Sequence, residues 1–255
     1  MMKKIKQDLS RREFIAMAGQ TAGLAGITGI SLTANAEQTK TEKIEDVIFG
    51  DEDIPFIGMT EDGPLYPPVE IPWNNDLTKT GEKGKAKGTT LYLFGQIFSR
   101  QGRPLPNAVV EIWHTDYNGN YKHPRGWGQD QLDPNFGYFA KVKTNQEGYY
   151  FFKTIRPRWY FLAGLPGSDH RGIPRAAHIH MKMRHEEHGV LTTEAYFDNA
   201  SHEEVAPTDL VFLSRPKRVR DKILLAENMP KDYSELAFNF EDDAICCRYD
   251  LAFLL

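Results

Sequence analysis

Residues 175–183 read RAAHIHMKM, and how this stretch is read decides the fold. In an extended strand successive side chains point to opposite faces, so His178 and His180 share one face while Ile179 and Met181 share the other. A half-buried strand would put apolar residues where the imidazoles stand. Either that face is wet, or the pair holds something. His-x-His on a strand is a standard way to give two nitrogen donors to one metal ion. Two ligands do not close a site, so partners must come from elsewhere in the chain.

Similar short runs lie on either side. TLYLFGQIF (90–98), AVVEIWH (108–114), YFAKVKT (138–144), YYFFKTI (149–155), VLTTEAYF (190–197) and ICCRYDLAF (245–253) are apolar or alternating. Turn clusters such as SRQGRPLPN, DYNGN, NQEG and PGSDHRGIP separate them. Many short strands at this spacing predict an all-β chain with a β-sandwich core, a long irregular N-terminal arm and few short helices. One helix is expected within residues 215–229, where Val219, Ile223, Leu224 and Met229 share a face.

The 255 residues divide into three parts. Residues 1–36 are basic, carry Ser10-Arg11-Arg12-Glu13-Phe14, continue as a mildly apolar Gly/Ala-rich run and end in TANA, which resembles a twin-arginine export signal. A periplasmic or secreted protein is expected, without a stable membrane anchor. The segment holds five Lys+Arg and two Asp+Glu, so its removal takes the net charge from -4 to -7. An acidic chain of this kind does not read as a nucleic-acid binder. Residues 37–88 form an extended arm and loop rich in Pro, Gly, Asp and Glu. The arm either wraps a neighbour in a homo- or hetero-oligomer or lacks fixed structure. Residues 89–255 are expected to form the β-sandwich domain. Cys246 and Cys247 are adjacent, cannot readily bridge each other and read as buried strand residues.

Candidate partners for the histidines are His185, Glu186, Glu187 and His188 nearby, and Tyr121 and Tyr160 further off. Glu186 lies within RHEEHG, and with His178 and His180 it approaches a cupin-type metal motif, although the spacing is one residue too long. The same run reads as an exposed hairpin turn. Tyr121 closes WHTDYNGNY and Tyr160 closes TIRPRWY, each just beyond a strand. Phenolate is a hard anionic donor suited to ferric iron, whose charge can ionise a coordinating group. Most single tyrosines at a sheet end simply keep their hydroxyl in water.

The order of these residues and the words around them resemble the intradiol ring-cleavage dioxygenases, especially the protocatechuate 3,4-dioxygenase type. The matching segments are GQIFSRQGRPLPNAVVEIWHTDYNGNY, LDPNFG, TNQEGYYFFKTIRP, RAAHIH and LTTEAYF, with weaker likeness in GPLYPP and RYDLAF. The resemblance implies one non-haem Fe(III) per site, held by Tyr121, Tyr160, His178 and His180. Tyr160 and His180 would be the axial pair, and Tyr121 and His178 equatorial. It implies a small aromatic diol and O2 as reactants, cleavage between the two hydroxylated carbons and a muconate-type product. Tyr160 would take a substrate proton, and Arg175 would stand beside the bound ring. Read without the resemblance, Arg175 is a surface charge at a strand start. The chain departs from the family at Glu194, where Gln is usual, and at Phe161 and Ala176, where Pro is usual. These departures bear on the substrate more than on the metal or the reaction, and place Glu194 in the substrate pocket. Two other readings remain at this point: a cupin-like oxygenase using His178, His180 and Glu186, and a non-catalytic periplasmic β-sandwich binding module.

Overall fold

Alternation along the sequence becomes two packed sheets. The computed structural model describes residues 62–80, 84–162, 172–197, 209–215, 220, 224–231 and 238–253. The strands run in the order β1 (Thr90–Phe98), β2 (Val109–Trp113), β3 (Phe139–Lys143), β4 (Tyr149–Ile155), β5 (Tyr160–Leu162), β6 (Ile173–Arg175), β7 (His178–His185), β8 (Gly189–Phe197), β9 (Leu224–Leu225), β10 (Ile245–Arg248) and β11 (Leu251–Ala252). A single-turn helix, α1 (Leu210–Leu213), follows β8.

In the first sheet β1 pairs antiparallel with β4 and parallel with β10 and then β11. The second sheet has the order β3-β2-β7-β8-β9, and β5 pairs with β6 in a separate ribbon. Period-two alternation assigns each strand's faces. Leu91, Leu93 and Ile97 of β1 and Phe152 of β4 join Val110 and Ile112 of β2, Ile179, Met181 and Met183 of β7 and Ala195 of β8 in one core. Full burial of each larger apolar side chain contributes about 1.5–3 kcal/mol. Tyr92, Phe94, Phe151 and Cys246 face the other side of the first sheet, under Phe238 and Phe240. Cys247 joins the central core, and both cysteines are free and buried.

The expected C-terminal strand 245–253 is two short strands. Between them Tyr249 and Asp250 turn aside because their polar atoms are engaged: the Tyr150 hydroxyl donates to Tyr249 O at 2.6 Å, and Gln96 N donates to the Asp250 carboxylate at 2.9 Å. Tyr249 O passes so close to Gly95 that a Cβ there would stand 2.0 Å away, so β1 needs glycine at this point. The helix expected in 215–229 does not reach its far end. Leu224 lies in β9, paired in parallel with β8, so edge pairing wins over helical periodicity there. Val219 and Ile223 lie outside the described residues, as do the export signal at 1–36 and the first part of the arm.

The described part of the arm lies on the second sheet's outer face. Leu65 and Ile71 are buried in it, and Asn74 N donates to Lys141 O of β3 at 3.1 Å. This is the face that carries His178, His180, Lys182 and Arg184 of β7. The Tyr66 hydroxyl donates to Glu111 at 2.9 Å, and Lys182 donates to Asp62 at 2.5 Å. A face that would otherwise be wet is therefore roofed. Among the described residues no helix is long and apolar enough to cross a membrane.

Candidate metal centre

β7 supplies the first two donors. His178 and His180 are buried, and their Nε2 atoms lie 3.1 Å apart. Two neutral imidazoles cannot both present a lone pair at that distance without something between them or one N–H. The other nitrogen of His178 is committed: Nδ1 lies 2.7 Å from Ala176 O, which as acceptor fixes Nδ1–H and leaves Nε2 as a lone pair. Trp113 of β2, directly across from His180 in register, stacks on its ring at 4.8 Å and 3° between planes. The arm passes over the ring at Gly63, where an added Cβ would meet His180 Cε1 at 3.8 Å, an ordinary contact.

The tyrosines complete the enclosure. Tyr160, expected just beyond a strand, is the first residue of β5, and the ribbon sets it opposite Arg175 of β6. Its hydroxyl is 3.5 Å from His178 Nε2. Tyr121 sits in the long β2–β3 connection, edge-on to Tyr160 at 5.0 Å and 6.2 Å from the His180 ring. Its hydroxyl is buried with no hydrogen-bond partner among the described residues. A buried orphan hydroxyl costs about 1–3 kcal/mol, so it signals an absent partner. Beside both phenols is a cavity of about 390 Å³ lined by Leu65, Asn120, Trp127, Trp159 and Phe161.

Arg175 is not a surface charge but is 4% exposed. Its Nε donates to both Asp209 oxygens at 3.1 and 3.2 Å, and its Nη2 donates to Glu194 Oε1 at 2.9 Å and Tyr196 Oη at 2.8 Å. Glu194 Oε2 accepts from Tyr196 Oη at 2.9 Å and Arg215 Nη2 at 2.8 Å. Asp209 caps α1 through Val211 N and Phe212 N, both at 3.0 Å, and accepts from Ala176 N at 2.8 Å.

Electrostatics follow from burial. Burial, and after it the Arg175 charge, holds the His178 imidazolium well below its ordinary range. Burial pushes His180 down to about 4. Both rings are thus neutral and free to donate lone pairs. Burial raises the Tyr160 phenol to about 12 despite Arg175, and raises the Tyr121 phenol well above its ordinary range. These phenols need an added positive charge nearby to ionise. Burial works against ionising Glu194, yet the Arg175 and Arg215 guanidiniums against it favour the charged carboxylate, and its carboxyl lies well below the usual range.

The structure therefore brings Tyr121, Tyr160, His178, His180, Arg175 and Glu194 together. It does not bring in Glu186. That residue sits in the exposed turn joining β7 to β8, six positions along an extended strand from His180 and so about 20 Å away. The carboxylate actually near the imidazoles is Glu194: one nitrogen of each His and one of its oxygens lie within 4.8 Å of one another. Its oxygens are already taken by two guanidiniums and a phenol, which makes it a charge-balancing neighbour. Sequence reasoning missed Trp113, Tyr196, Asp209 and Arg215. Alternation would have found Tyr196, two positions from Glu194 on β8, and it also faces His178 in register. Nothing local marks Asp209 or Arg215.

Comparison with known proteins places the chain in a family. A family model described as Dioxygenase matches residues 61–244, which include all six of these residues. The chain is 28% identical over 197 residues to the protocatechuate 3,4-dioxygenase beta chain of Burkholderia cepacia, covering 76% of this chain and 77% of that one. It is 29% identical over 198 residues to the catechol 1,2-dioxygenase of Acinetobacter baylyi, covering 71% of this chain but only 60% of the relative. In fold it is similar to the 3-chlorocatechol 1,2-dioxygenase of Rhodococcus opacus 1CP, with a TM-score of 0.59 at 19% identity over 79% of this chain and 74% of that one. The match runs through the sandwich and its roofed face alike, and the chain belongs to the intradiol ring-cleavage dioxygenase family.

Proposed function

We propose that this chain uses one non-haem Fe(III), held by Tyr121, Tyr160, His178 and His180, to open an ortho-diphenol between its two hydroxylated carbons. Both atoms of O2 enter the muconate-type diacid product. The observation that carries this reading is the convergence of Tyr160 Oη and two imidazole nitrogens beside the partnerless Tyr121 hydroxyl. The donor set fits ferric iron: two neutral imidazoles with free lone pairs and two phenols that ionise only beside a cation. The bound ion supplies the Lewis acidity that makes the diol's ring reactive toward O2.

The chain's own residues do the rest. A diol ring fits the cavity beside Tyr121 and Tyr160. Tyr160 Oη, ionised, is a base within the site and accepts a proton from a substrate hydroxyl. Arg175 stabilises negative charge that develops on the ring, and its orientation is fixed by Asp209, Glu194 and Tyr196. Trp113 holds the His180 ring. The arm over the sheet excludes water, which strengthens each of these interactions. The signal-like residues 1–36 support activity outside the cytoplasm.

Elemental analysis and absorption of the full-length protein after export test the reading. The expected result is one iron per chain, a reddish-brown tyrosinate band, and catechol-dependent O2 uptake. Tyr160→Phe should lower iron retention and slow anaerobic catechol binding. A colourless protein that cannot be loaded with iron, or a Tyr160→Phe variant that binds catechol as fast as the parent, refutes it.

A further inference from the structure

The cavity against the metal centre is larger than one diol ring needs. Its volume is about 390 Å³, whereas about 150 Å³ is enough to hold benzene in an apolar protein interior. The inner wall is Leu65, Tyr121 and Tyr160, which pack in one cluster and are each at most 7% exposed. Trp127, 54% exposed, stands at the mouth, and Trp159 and Phe161 are half-buried. The last two meet edge to face at 5.3 Å. Hydrogen bonds and close packing fix these walls. Gly119, with φ at 90°, brings its loop so close to Trp159 O that a Cβ would stand 2.7 Å away. Asp116 accepts from Asn118 N at 2.9 Å and from Asn120 N at 3.0 Å. Gln129 Nε2 donates to Tyr121 O at 2.7 Å and to Trp127 O at 3.3 Å, which ties the mouth to the inner wall.

Resting on the ring-cleavage reading, we infer that the substrate is an ortho-diphenol carrying a second aromatic ring, and that Trp127 and Phe161 select it by enclosing that ring. The diol lies against Tyr121 and Tyr160, where the metal donors are, and the substituent fills the remaining volume toward the mouth. Flat rings suit this rim because indole and phenyl groups take another aromatic edge-on or offset. Each such pair adds about two- to twelvefold in affinity beyond the area buried. Burial of a second ring adds about ten- to hundredfold. Walls already in place lose little freedom on binding, so more of that gain survives. Arg158, also at this rim, is exposed and stands over the Trp159 ring at 5.8 Å. Its charge is in water and confers little preference for an anionic substituent. A substituent away from the cleaved bond is held alike before and during the reaction, so its contribution falls on KM.

The test uses iron-loaded protein and measures kcat and KM by O2 uptake for catechol, 4-phenylcatechol and 4-cyclohexylcatechol, the last matching the bulk of the phenyl group without its flat face. Anaerobic titration of the same proteins with each diol, followed by the charge-transfer band, reads binding apart from turnover. The parent should favour 4-phenylcatechol over catechol at least tenfold in kcat/KM, chiefly through KM, and over 4-cyclohexylcatechol at least threefold. Trp127→Ala and Phe161→Ala should each lower the phenyl-to-catechol ratio at least threefold in both assays, and Trp127→Phe should keep it within twofold of the parent. Circular dichroism establishes that each variant is folded; should Phe161→Ala fail to fold, the two variants at the exposed Trp127 still decide. A parent that cleaves catechol as well as or better than 4-phenylcatechol overturns the inference and leaves the ring-cleavage reading standing, as does a ratio that neither alanine variant moves. Equal use of the phenyl and cyclohexyl diols overturns the selection of an aromatic substituent. Cleavage of none of the three diols by iron-loaded protein overturns the ring-cleavage reading, and this inference with it.

Discussion

Asp209→Asn should destabilise the protein far more than a loop substitution between isosteric side chains ordinarily does. Asp209 is fully buried and accepts from four donors: Arg175 Nε, shared between its two oxygens, and Ala176 N, Val211 N and Phe212 N. Asparagine is a good N-cap, so the bonds from α1 to Oδ1 survive with one oxygen retained. The second oxygen becomes an NH2 facing the Ala176 amide and the Arg175 guanidinium, donor against donor. Breaking a buried ion pair costs about 3–5 kcal/mol. Glu194 still holds Arg175, so the lower end applies, about 3 kcal/mol, which for a chain of this size is a fall in Tm of roughly 6–12 °C. Asp209→Ala should lose a further ~1 kcal/mol with the cap. Equilibrium urea denaturation of the metal-free protein measures both. In an Arg175→Met background Asp209→Asn should cost at least ~1 kcal/mol less, because the partner is already gone. A loss below ~1 kcal/mol in the parent background, or no coupling to Arg175, would refute the claim that Asp209 anchors the arginine.

Three other perturbations separate structure from function. Tyr121→Phe removes a buried hydroxyl without a partner, so metal-free protein should gain about 1 kcal/mol in urea while iron retention falls; a destabilised metal-free variant would show that the hydroxyl has a structural partner. His114 is fully buried between Thr115 O and Thr154 Oγ1, both at 2.8 Å, and burial holds it down to about 4 against an ordinary 6.5. Since the folded value is the lower one, stability is full above pH 6.5 and lost as the unfolded chain takes up the proton, by about 3 kcal/mol on reaching pH 4. A His114→Gln variant should show a shallower decline between pH 7 and 4.5, and an unchanged slope counts against the buried neutral imidazole. Gly95→Ala places a methyl against Tyr249 O and should cost at least ~1–3 kcal/mol by thermal melting; a neutral outcome would mean that the β10–β11 break yields easily.

Much of the architecture is legible in the strand periods. The runs at 90–98, 108–114, 138–144, 149–155, 177–183 and 190–197 each become a strand within a few residues, because alternation records which face is buried. The ribbon of β5 and β6 was not legible. Three residues give no period, and its pairing of Tyr160 with Arg175 depends on chain return through tertiary contact. The helix expected within 215–229 stops short of 224 for a related reason: Leu224 fits a helical pattern and a sheet edge equally, and the edge of β8 takes it together with Leu225.

The sequence by itself determined the chemistry at hand. His178 and His180 fall on one face because the strand period is two, and Tyr121, Tyr160 and Arg175 are donors and a cation by their side-chain type. Only the tertiary structure decided how those groups are used. It chose Glu194 over Glu186 as the carboxylate beside the imidazoles, since two glutamates eight positions apart lie on opposite ends of a hairpin. It buried Arg175 by bringing Asp209 from 34 residues away and seated Arg215 against Glu194 across 21. Periodicity encodes a side chain's direction within its own strand; which distant charge will meet it is set by how the sheets, the ribbon and the arm pack together.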